Sequence, residues 1–412
     1  MARTIAHVDL NACFASLEQQ SNPRLRGRPT AVVRKAQRVS VISAPSYEAK
    51  RRGVRTGMTT PEAKRRCPEL RVLLEDPTKY LAASERFFEL LHDLTGAVET
   101  FSIDEGFADL AHPLRRLGDP VWAAERIKRE IRHRLGEWMT VSIGVGPSKV
   151  VAKLAGQQRK PDGLVRIQED EVPNWLETLA VDEACGIAER TKDRLAAMGI
   201  RTLADLGRAD VMRLRQAFGI NGYFLHLIGQ GKDPVPFQAG GAPPRQGFGH
   251  GRVLPWPWPD FAGARDWLQV LCHMVARRMR AHGNAARVVH LGVESADGWG
   301  SSKQRCLPVA TDDEQVVVEA CRRIAEGLER QGRLPQEIQY IGVSVSKLYD
   351  RTRQPLPLFP QGRARHRLID AMDTVNDRFG DLSVYFGGLH EGQRKMTVHA
   401  ANRGMYRDLQ PA

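Results

Sequence analysis

The sequence predicts an α+β protein of several domains, because two separate stretches repeat one alternation of strands and helices. The first, near the N-terminus, reads strand, helix, paired strands, helix, strand, with a long insertion after its first strand. The second, which begins at Phe248, reads β-α-β-β-α-β without an insertion. Both orders are typical of ferredoxin-like, split β-α-β sheets. A length of 412 residues also exceeds what one hydrophobic core usually serves.

Composition favours a polyanionic partner. The formal net charge is +13 and the pI is about 9.7. A membrane surface is the competing partner, but no apolar run is long enough to cross a bilayer, and the N-terminus lacks the apolar core of a signal peptide. We therefore expect a cytoplasmic protein with no membrane contact. The six cysteines form no C-x-x-C pair, so neither a zinc site nor a disulfide framework is predicted.

The first predicted strand, residues 4–8, leads directly to Asp9, and a helix over residues 11–20 follows. An acid at the end of a buried strand is an unusual place for a purely solvated charge, although a helix N-cap is an alternative. The insertion then holds strands at 29–33 and 39–43 and helices at 47–52 and 61–66. Its many Lys and Arg residues are interpreted either as a phosphate-holding subdomain or as a solvated charged face.

A long amphipathic helix over residues 77–95 precedes an acidic strand pair at residues 100–109. Asp104 and Glu105 interrupt its apolar alternation, and Gly106 permits a bend that would let both acids serve one site. The alternative is a hairpin turn with two solvated acids. In a split β-α-β sheet, the first strand lies beside this hairpin, which would bring the acids and Asp9 together. A helix at 121–135, a strand at 139–144 and a helix at 148–158 complete the pattern.

Short helices separated by glycine turns follow, from residue 172 to residue 229. Two of these pairs resemble helix–hairpin–helix units, which offer turn and helix N-terminal N–H groups to a DNA phosphate without reading sequence. Any helical pair needs a turn, so the signal is weak. A Gly- and Pro-rich segment at 237–247 is interpreted as a linker.

The second sheet is predicted from strands at 248–254, 287–294, 301–309 and 338–347 and helices at 261–282 and 313–331. We expect its open face to meet a nucleic-acid backbone through the basic side chains on its strands, namely His250, Arg252, Lys303, Arg305 and Lys347. Beyond it, a basic, loop-like stretch leads to a helix at 366–378. The peptide Gln354–Phe359 within that stretch contains two prolines, and it is either a docking peptide or a strap packed on its own domain.

Several motifs, in order and correctly spaced, resemble those of the Y-family translesion DNA polymerases, which include bacterial polymerase IV and the catalytic subunit of polymerase V. The motifs are His7–Glu18, Ser46–Lys50 with Gly53, Val54, Gly57 and Met58, Ser102–Glu105, and Ser142–Lys149 through Lys160–Gly163. The resemblance implies a palm (1–10 and 75–165), fingers (11–74), a thumb (166–235), a linker (236–247), a little finger (248–348) and a C-terminal tail (349–412).

The resemblance also implies roles for individual residues. Asp9, Asp104, Glu105 and the Leu10 carbonyl would bind two Mg²⁺ ions, with Mn²⁺ as a substitute, because hard cations take oxygen ligands. The triphosphate would be held by Tyr47, Lys50 and Lys160, and Phe14 would be the steric gate against a 2′-hydroxyl. Contacts to DNA would come from Gly186, Ala188, Gly219 and Gly222 of the thumb and from the basic residues of the little finger. The clamp-binding peptide would use Gln354, Leu356, Leu358 and Phe359.

Four positions depart from the family's usual residues. Lys50 stands where Arg is common and offers one charged group rather than a bidentate fork. Ala44 stands where Thr is common, and Ser43 or Ser46 would have to supply the missing hydroxyl. Asn11 replaces a second acid that lies outside the metal cluster, and Ala188 replaces a second hairpin glycine.

The function implied is that of a low-fidelity DNA polymerase that extends a primer by two-metal phosphoryl transfer in translesion synthesis. No separate proofreading domain is predicted. The expected partners are primer–template DNA, an incoming deoxynucleoside triphosphate and a bacterial sliding clamp, and the chain is expected to be a monomer in the bacterial cytoplasm. A non-catalytic DNA-binding accessory protein is the alternative, and a nucleotide cyclase with a similar palm is a third possibility.

Overall fold

The computed structural model describes residues 3–34, 39–111, 118–240, 245–353 and 360–392. The chain divides into two compact units, Met1–Pro243 with two sheets and Pro244–Ala412 with one. No described helix is long and apolar enough to cross a membrane.

The first unit contains three kinds of structure: a central sheet with its helices, a small inserted sheet, and a run of short helices. Its elements are Ile5–Leu10 (β1), Cys13–Ser21 (α1), Thr30–Val33 (β2), Ile42–Pro45 (β3), Tyr47–Arg51 (α2), Thr60–Arg66 (α3), Arg71–Leu74 (β4), Pro77–Thr95 (α4), Val98–Thr100 (β5), Glu105–Asp109 (β6), Pro120–Leu135 (α5), Val141–Gly146 (β7), Lys149–Gln158 (α6), Leu164–Arg166 (β8), Val172–Glu177 (α7), Glu189–Ala197 (α8), Leu203–Arg208 (α9), Val211–Phe218 (α10) and Ile220–Gly229 (α11).

The central sheet has the order β5-β6-β1-β7-β8, with β1 antiparallel to both of its neighbours. Buried side chains of β1, β6 and β7 pack against α4 and α5, and this forms the core. The boundaries of α4 agree with the prediction because the sequence marks both ends: Asp76 caps the first turn, Pro77 begins the helix, and Gly96 ends it with a left-handed φ of 77°.

The inserted sheet has the order β3-β2-β4, with β4 parallel to β2. Strand β4 was not predicted from the sequence. Its residues are half-buried or exposed, so they lack the continuous apolar pattern that a buried strand shows.

The helical run confirms most of the predicted helices but corrects one turn. Gly219 lies between α10 and α11 with a left-handed φ of 65°, as a turn glycine should. Gly222, in contrast, lies inside α11, where a Cβ would clash with the backbone of Leu214. It is therefore a packing glycine, and its N–H already donates to the Gly219 carbonyl at 3.1 Å, so it does not offer a turn N–H to a phosphate.

The first half of the predicted linker is packed on the first unit. The Phe237 ring is buried against β1 and β6, and the Gly240 N–H donates to the Val98 carbonyl at 3.3 Å. Just before it, the Asp233 carboxylate accepts hydrogen bonds from the N–H groups of Lys149 and Val150 at the start of α6. The linker interpretation therefore does not hold for residues up to 240.

The second unit confirms the predicted β-α-β-β-α-β order and adds a C-terminal helix. Its elements are Gly247–Trp258 (β9), Phe261–Ala281 (α12), Asn284–Glu294 (β10), Gly300–Thr311 (β11), Glu314–Arg330 (α13), Ile338–Asp350 (β12) and Pro360–Phe379 (α14). The sheet has the order β11-β10-β12-β9, and α12 and α13 cover one of its faces.

The strand register corrects the predicted basic face of this sheet. Arg252 lies opposite Ile341, and Arg305 lies opposite Val289; both apolar partners point into the helix-covered core. Residues directly opposite each other share a face, so these arginines are on the helix side, and the same holds for His250 (opposite Val343) and Lys303 (opposite Leu291). The central rows of the open face instead hold Gln304, His290, Ser344 and Gly249, and Ser302, Gly292, Gly342 and Gly251.

Lys347 is the exception among the predicted basic residues. It is exposed, with a left-handed φ of 54° near the end of β12.

The segment predicted as a tail is largely an integral part of the second unit. Helix α14 is tied to the sheet-covering helices by ion pairs, among them Arg280–Asp373 at 2.6 Å and Arg365–Asp313 at 2.8 Å. Leu389 is buried in the core beside α12. The sequence pattern predicted a helix here but not its docking, because the contacts are made by charged residues that a sequence pattern assigns to the surface.

Candidate active site

The acidic residues meet where β1, β6 and the turn before β6 come together. Strands β1 and β6 pair Asp9 with Glu105, so these two side chains share one face of the sheet. Asp104 lies in the turn just before β6, and its carbonyl accepts a hydrogen bond from the Leu10 N–H at 2.9 Å. Adjacent residues within a strand point to opposite faces, but Asp104 lies before the strand, so this alternation does not separate it from Glu105.

Gly106 has a different role from the predicted bend. It lies in the regular part of β6, opposite Val8, where a Cβ would stand only 2.7 Å from the Phe88 ring. Glycine is needed here for close packing of α4 on the sheet, and the turn before β6 provides the bend.

Two residues that the sequence analysis missed hold Glu105 in place. The buried His7 ring places Nε2 2.8 Å from the carboxylate, and the Lys153 ammonium on α6 forms an ion pair with the same oxygen. Burial alone would raise the pKa of Glu105, but these hydrogen bonds outweigh it and hold the pKa at about 2. Burial lowers the pKa of His7, so the ring is neutral, donates from Nε2, and leaves Nδ1 without a protein partner.

Asp104 and Asp9 are in different electrostatic environments. Burial raises the pKa of Asp104, and the nearby charges of Asp9 and Glu105 add to this rise, whereas a hydrogen bond from Ser102 opposes it. Asp9 instead has a direct counterion, because the Lys160 Nζ lies 2.8 Å from its carboxylate.

A cavity of about 280 Å³ opens beside these acids and contains nearly all of the predicted nucleotide and metal residues. Those lining it are Asp9, Leu10, Phe14, Tyr47, Lys50, Asp104 and Lys160. Glu105 does not line it and lies behind, against His7 and Lys153. The sequence motifs therefore converge on one concave site, which contains both carboxylates and ammonium groups.

The Phe14 ring is fixed at the edge of this cavity by an aromatic stack. It lies parallel to the Tyr80 ring, with centroids 4.3 Å apart and an interplanar angle of 8°. Tyr80 is buried, and its hydroxyl donates to Glu18 at 2.9 Å. A ring supported from behind in this way offers a rigid surface to whatever enters the cavity.

Helix α2 supplies Tyr47 and Lys50, and the Lys50 Nζ lies 4.4 Å from the centroid of the Tyr47 ring. Burial raises the pKa of Tyr47 to about 12, aided by the charge of Asp9, so the phenol stays protonated and can donate. Burial also lowers the pKa of Lys50, with Lys160 contributing.

Of the two serines expected to compensate for the missing hydroxyl at Ala44, only one lies at the cavity. Ser43 lines the cavity, as does Thr56, which was not predicted. Ser46 is fully buried, and its Oγ accepts hydrogen bonds from the N–H groups of Thr30 and Ala49, which caps α2. Ser46 therefore positions the helix and does not face the cavity.

Asn11 anchors the loop that carries Lys160. Its buried amide donates to the Ser142 hydroxyl at 2.9 Å and accepts from the Asp162 N–H at 2.7 Å. The Thr140 hydroxyl donates to the same carbonyl oxygen at 3.1 Å. The side chain thus makes three hydrogen bonds and ties the loop after α6 to β7.

Three of the four predicted DNA contacts of the helical run, Gly186, Ala188 and Gly219, are exposed, whereas Gly222 is buried inside α11. Gly186 has a left-handed φ of 93°, and Ala188 precedes α8 as its N-cap residue. Gly219 lies at the turn between α10 and α11, with a left-handed φ of 65°. The predicted clamp peptide, with Gln354, Leu356, Leu358 and Phe359, lies outside the described residues.

The residues at the acidic cluster fit a divalent cation. Ligand atoms of His7, Asp9 and Glu105 all lie within 4.8 Å of one another, and the two carboxylates are half-buried. The ammonium groups of Lys153 and Lys160 already bind these carboxylates, which shows that the cluster attracts positive charge. Oxygen donors suit a hard cation such as Mg²⁺.

Two family profiles match the chain: the impB/mucB/samB family over residues 8–157 and the impB/mucB/samB family C-terminal domain over residues 245–358. The DNA polymerase IV of Pelotomaculum thermopropionicum is 34% identical over 380 residues, which cover 91% of this chain and 92% of that protein. The DNA polymerase IV of Moorella thermoacetica is 34% identical over 379 residues, covering 92% and 94%. A solved Y-family DNA polymerase chimera, Dbh-Dpo4(243-245)-Dbh, matches with a TM-score of 0.70 and 25% identity, over 84% of this chain and 99% of that one.

Proposed function

The chain belongs to the Y-family of translesion DNA polymerases, and we propose that the cavity beside Asp9 and Asp104 is its polymerase active site. The protein is a DNA-directed DNA polymerase of low fidelity. The non-catalytic alternative is not favoured, since Asp9, Asp104 and Glu105 are all present and Asp9 and Glu105 each have a lysine counterion.

The observation that carries the site assignment is the convergence of separate motifs on one cavity. Asp9 comes from β1, Tyr47 and Lys50 from the insertion, Asp104 from the turn before β6, and Lys160 from the loop after α6. Such an arrangement offers carboxylates for cations and ammonium groups for phosphates within one small space.

In the proposed reaction, the primer 3′-oxygen forms a bond to the α-phosphorus of the incoming nucleotide as the bond to the pyrophosphate oxygen breaks. Lys50 and Lys160 hold the triphosphate by charge, and the protonated Tyr47 hydroxyl donates to a phosphate oxygen. Phe14, supported by Tyr80, lies where a 2′-hydroxyl would need room. His7 and Lys153 keep Glu105 ionised and fixed in orientation, and Asn11 holds the loop of Lys160.

Asp9, Asp104, Glu105 and the Leu10 carbonyl are the proposed ligands of two Mg²⁺ ions, with Mn²⁺ as a substitute. When bound, such ions supply Lewis-acid stabilisation of the attacking and leaving oxygens.

Primer–template DNA and a deoxynucleoside triphosphate are the proposed substrates. Among the similar solved structures is an insertion ternary complex of Dbh DNA polymerase, 25% identical and with a TM-score of 0.56, which supports this assignment. Gly186, Ala188 and Gly219 are proposed phosphate contacts, since the first and last of these lie at turns with left-handed glycines and Ala188 precedes the first turn of α8. A sliding clamp as partner, a monomeric state and a bacterial cytoplasmic location complete the proposal.

Primer extension with Mg²⁺ tests the proposal. The intact protein should add deoxynucleotides to a primer opposite a template, and Asp104→Ala with Glu105→Ala should abolish addition while DNA binding is retained. Absence of extension by the intact protein, or unchanged extension by the double variant, would reject the active-site assignment.

A further inference from the structure

A second, basic cavity of about 470 Å³ lies on the helix-covered side of the second sheet, between the edge strand β11 and helix α13. Lys303 and Arg305 line it from the strand, and Arg323 and Arg330 line it from the helix. The register that moves Lys303 and Arg305 off the open face is what brings them beside the helix. These residues therefore form a site that the open-face prediction did not foresee.

The charge of this cavity is largely uncompensated. No carboxylate is among the described residues that line it. Arg323 pairs with Glu319 at 2.7 Å, but in the part of the chain that the structure describes no ion pair joins Lys303, Arg305 or Arg330 to an acid. Clustered like charges repel one another, so a bound polyanion would lower the electrostatic energy of the cavity.

The shape of the cavity restricts the kind of anion. Its volume is that of a small-ligand pocket, which accommodates one or two backbone units and excludes a duplex. Lys303 and Arg305 are two residues apart on one strand, so they point to the same side about 6.6 Å apart. This spacing is close to that of successive phosphates in an extended single strand. The described lining has no aromatic ring for base stacking, so contact would be with the backbone.

We propose that this cavity binds the phosphate backbone of single-stranded nucleic acid. The inference rests on the proposed function, since a DNA polymerase meets single-stranded template as part of its substrate. An acidic protein segment is the competing ligand, but it would find Ile324 as its only apolar anchor among the described lining residues.

The test is the salt dependence of binding to a fluorescently labelled oligothymidylate, measured on the full chain. Removing one ionic interaction with a single-strand phosphate lowers the slope of log affinity against log salt by about 0.7. The double variant Lys303→Gln with Arg305→Gln should therefore lower the slope by about 1.4. The charge-preserving swap, Lys303→Arg with Arg305→Lys, should keep the slope of the unaltered protein.

Arg322→Gln is the matched control. Arg322 neighbours Arg323 on the same helix but lies outside the cavity and pairs with Glu319 at 2.8 Å, so its replacement should change neither the slope nor primer extension. An unchanged slope in the double variant would overturn the proposal. So would weaker binding of the double variant to polyglutamate with unchanged binding to the oligonucleotide. Primer extension by the unaltered protein is measured in parallel; its absence would reject the proposed function and leave this binding test intact.

Discussion

The two sheets of this protein share one order of elements but differ in which strands become neighbours. In the first unit, the first and third strands of the pattern, β1 and β6, are central. In the second unit, the second and fourth strands, β10 and β12, are central. The element order therefore does not determine strand order. In the first unit, it is the pairing of β1 with β6 that brings Asp9 and Glu105 together.

The charges of the two sheets also differ in their surroundings. The acids of the first sheet are half-buried, and Asp9 and Glu105 each have a lysine counterion. The basic side chains of Lys303 and Arg305 in the second are exposed and line a cavity without carboxylates among its described residues. Partly buried charges that are fixed in position suit catalysis, because the reacting groups must be held in one geometry. Exposed charges suit the binding of a nucleic-acid backbone that moves along the protein.

The largest expected effect is that of Asp9→Asn. The substitution removes a proposed metal ligand and leaves Lys160 without its counterion, so the primer-extension rate should fall by roughly 10³-fold or more. Steady-state extension kinetics with Mg²⁺ measure it. Glu294→Gln, an acid on the open face of the second sheet, should leave the rate unchanged; equal losses in both variants would contradict this division of roles between the sheets.

Phe14→Ala should weaken discrimination against ribonucleotides, because the cavity then gains room beside the sugar. We expect the ratio of kcat/KM for deoxyribonucleotide over ribonucleotide to fall by on the order of 10²-fold. The control is Phe14→Tyr, which preserves the ring stacked on Tyr80 and should preserve the ratio. If Phe14→Ala keeps the ratio of the unaltered protein, Phe14 is a core residue and not a gate.

Asn11→Leu should act on nucleotide binding through the loop of Lys160. Loss of the hydrogen bond to the Asp162 N–H frees that loop, so the KM for the nucleotide should rise by about 10-fold with a smaller change in kcat. Asn11→Asp retains an acceptor for Asp162 and should remain near the unaltered protein. A uniform fall in kcat for both variants would mean that Asn11 has only a general structural role.

The smallest expected effect concerns the docking of α14 in the second unit. Arg365→Gln removes a partly exposed ion pair with Asp313, so protection of α14 from hydrogen exchange should fall by about 1 kcal/mol. Burial alone would raise the pKa of Asp313, but its hydrogen bonds with Arg365 and the Gln315 N–H and the charges of Arg365 and Arg280 together lower the pKa. The pair therefore stabilises the fold above the unfolded pKa of about 4, and this contribution is lost as the pH falls through the lower folded pKa. If hydrogen-exchange protection of α14 responds neither to Arg365→Gln nor to the fall in pH, this account is contradicted.

Elements with marked ends and clear periodicity were predictable from the sequence. Helix α4 is one such case, and most of the metal and nucleotide residues that the family motifs named line one cavity. His7 and Lys153 were missed because a histidine inside a strand is typical of the core and a lysine on a helix is typical of the surface, and only the tertiary fold brings both to Glu105. Strand β4 was missed because it lacks an apolar pattern.

The misplaced basic face had a signal that was available in the sequence. In β9, Phe248 and Leu254 are buried, and His250 and Arg252 share their parity, so a period of two places all four on one side. Likewise, Lys303 and Arg305 share parity with the buried Leu307. The side on which a charged residue emerges follows from its apolar neighbours along the strand, and not from its charge.

The lysines beside the acids have a consequence for the protein before it binds any cation. Lys153 and Lys160 act as internal counterions of Glu105 and Asp9, so these carboxylates are balanced in the folded chain without a bound cation. Chelation should accordingly abolish primer extension and leave the thermal midpoint of unfolding nearly unchanged. We therefore expect the folded state to be independent of the supply of divalent ions, and catalysis alone to depend on it.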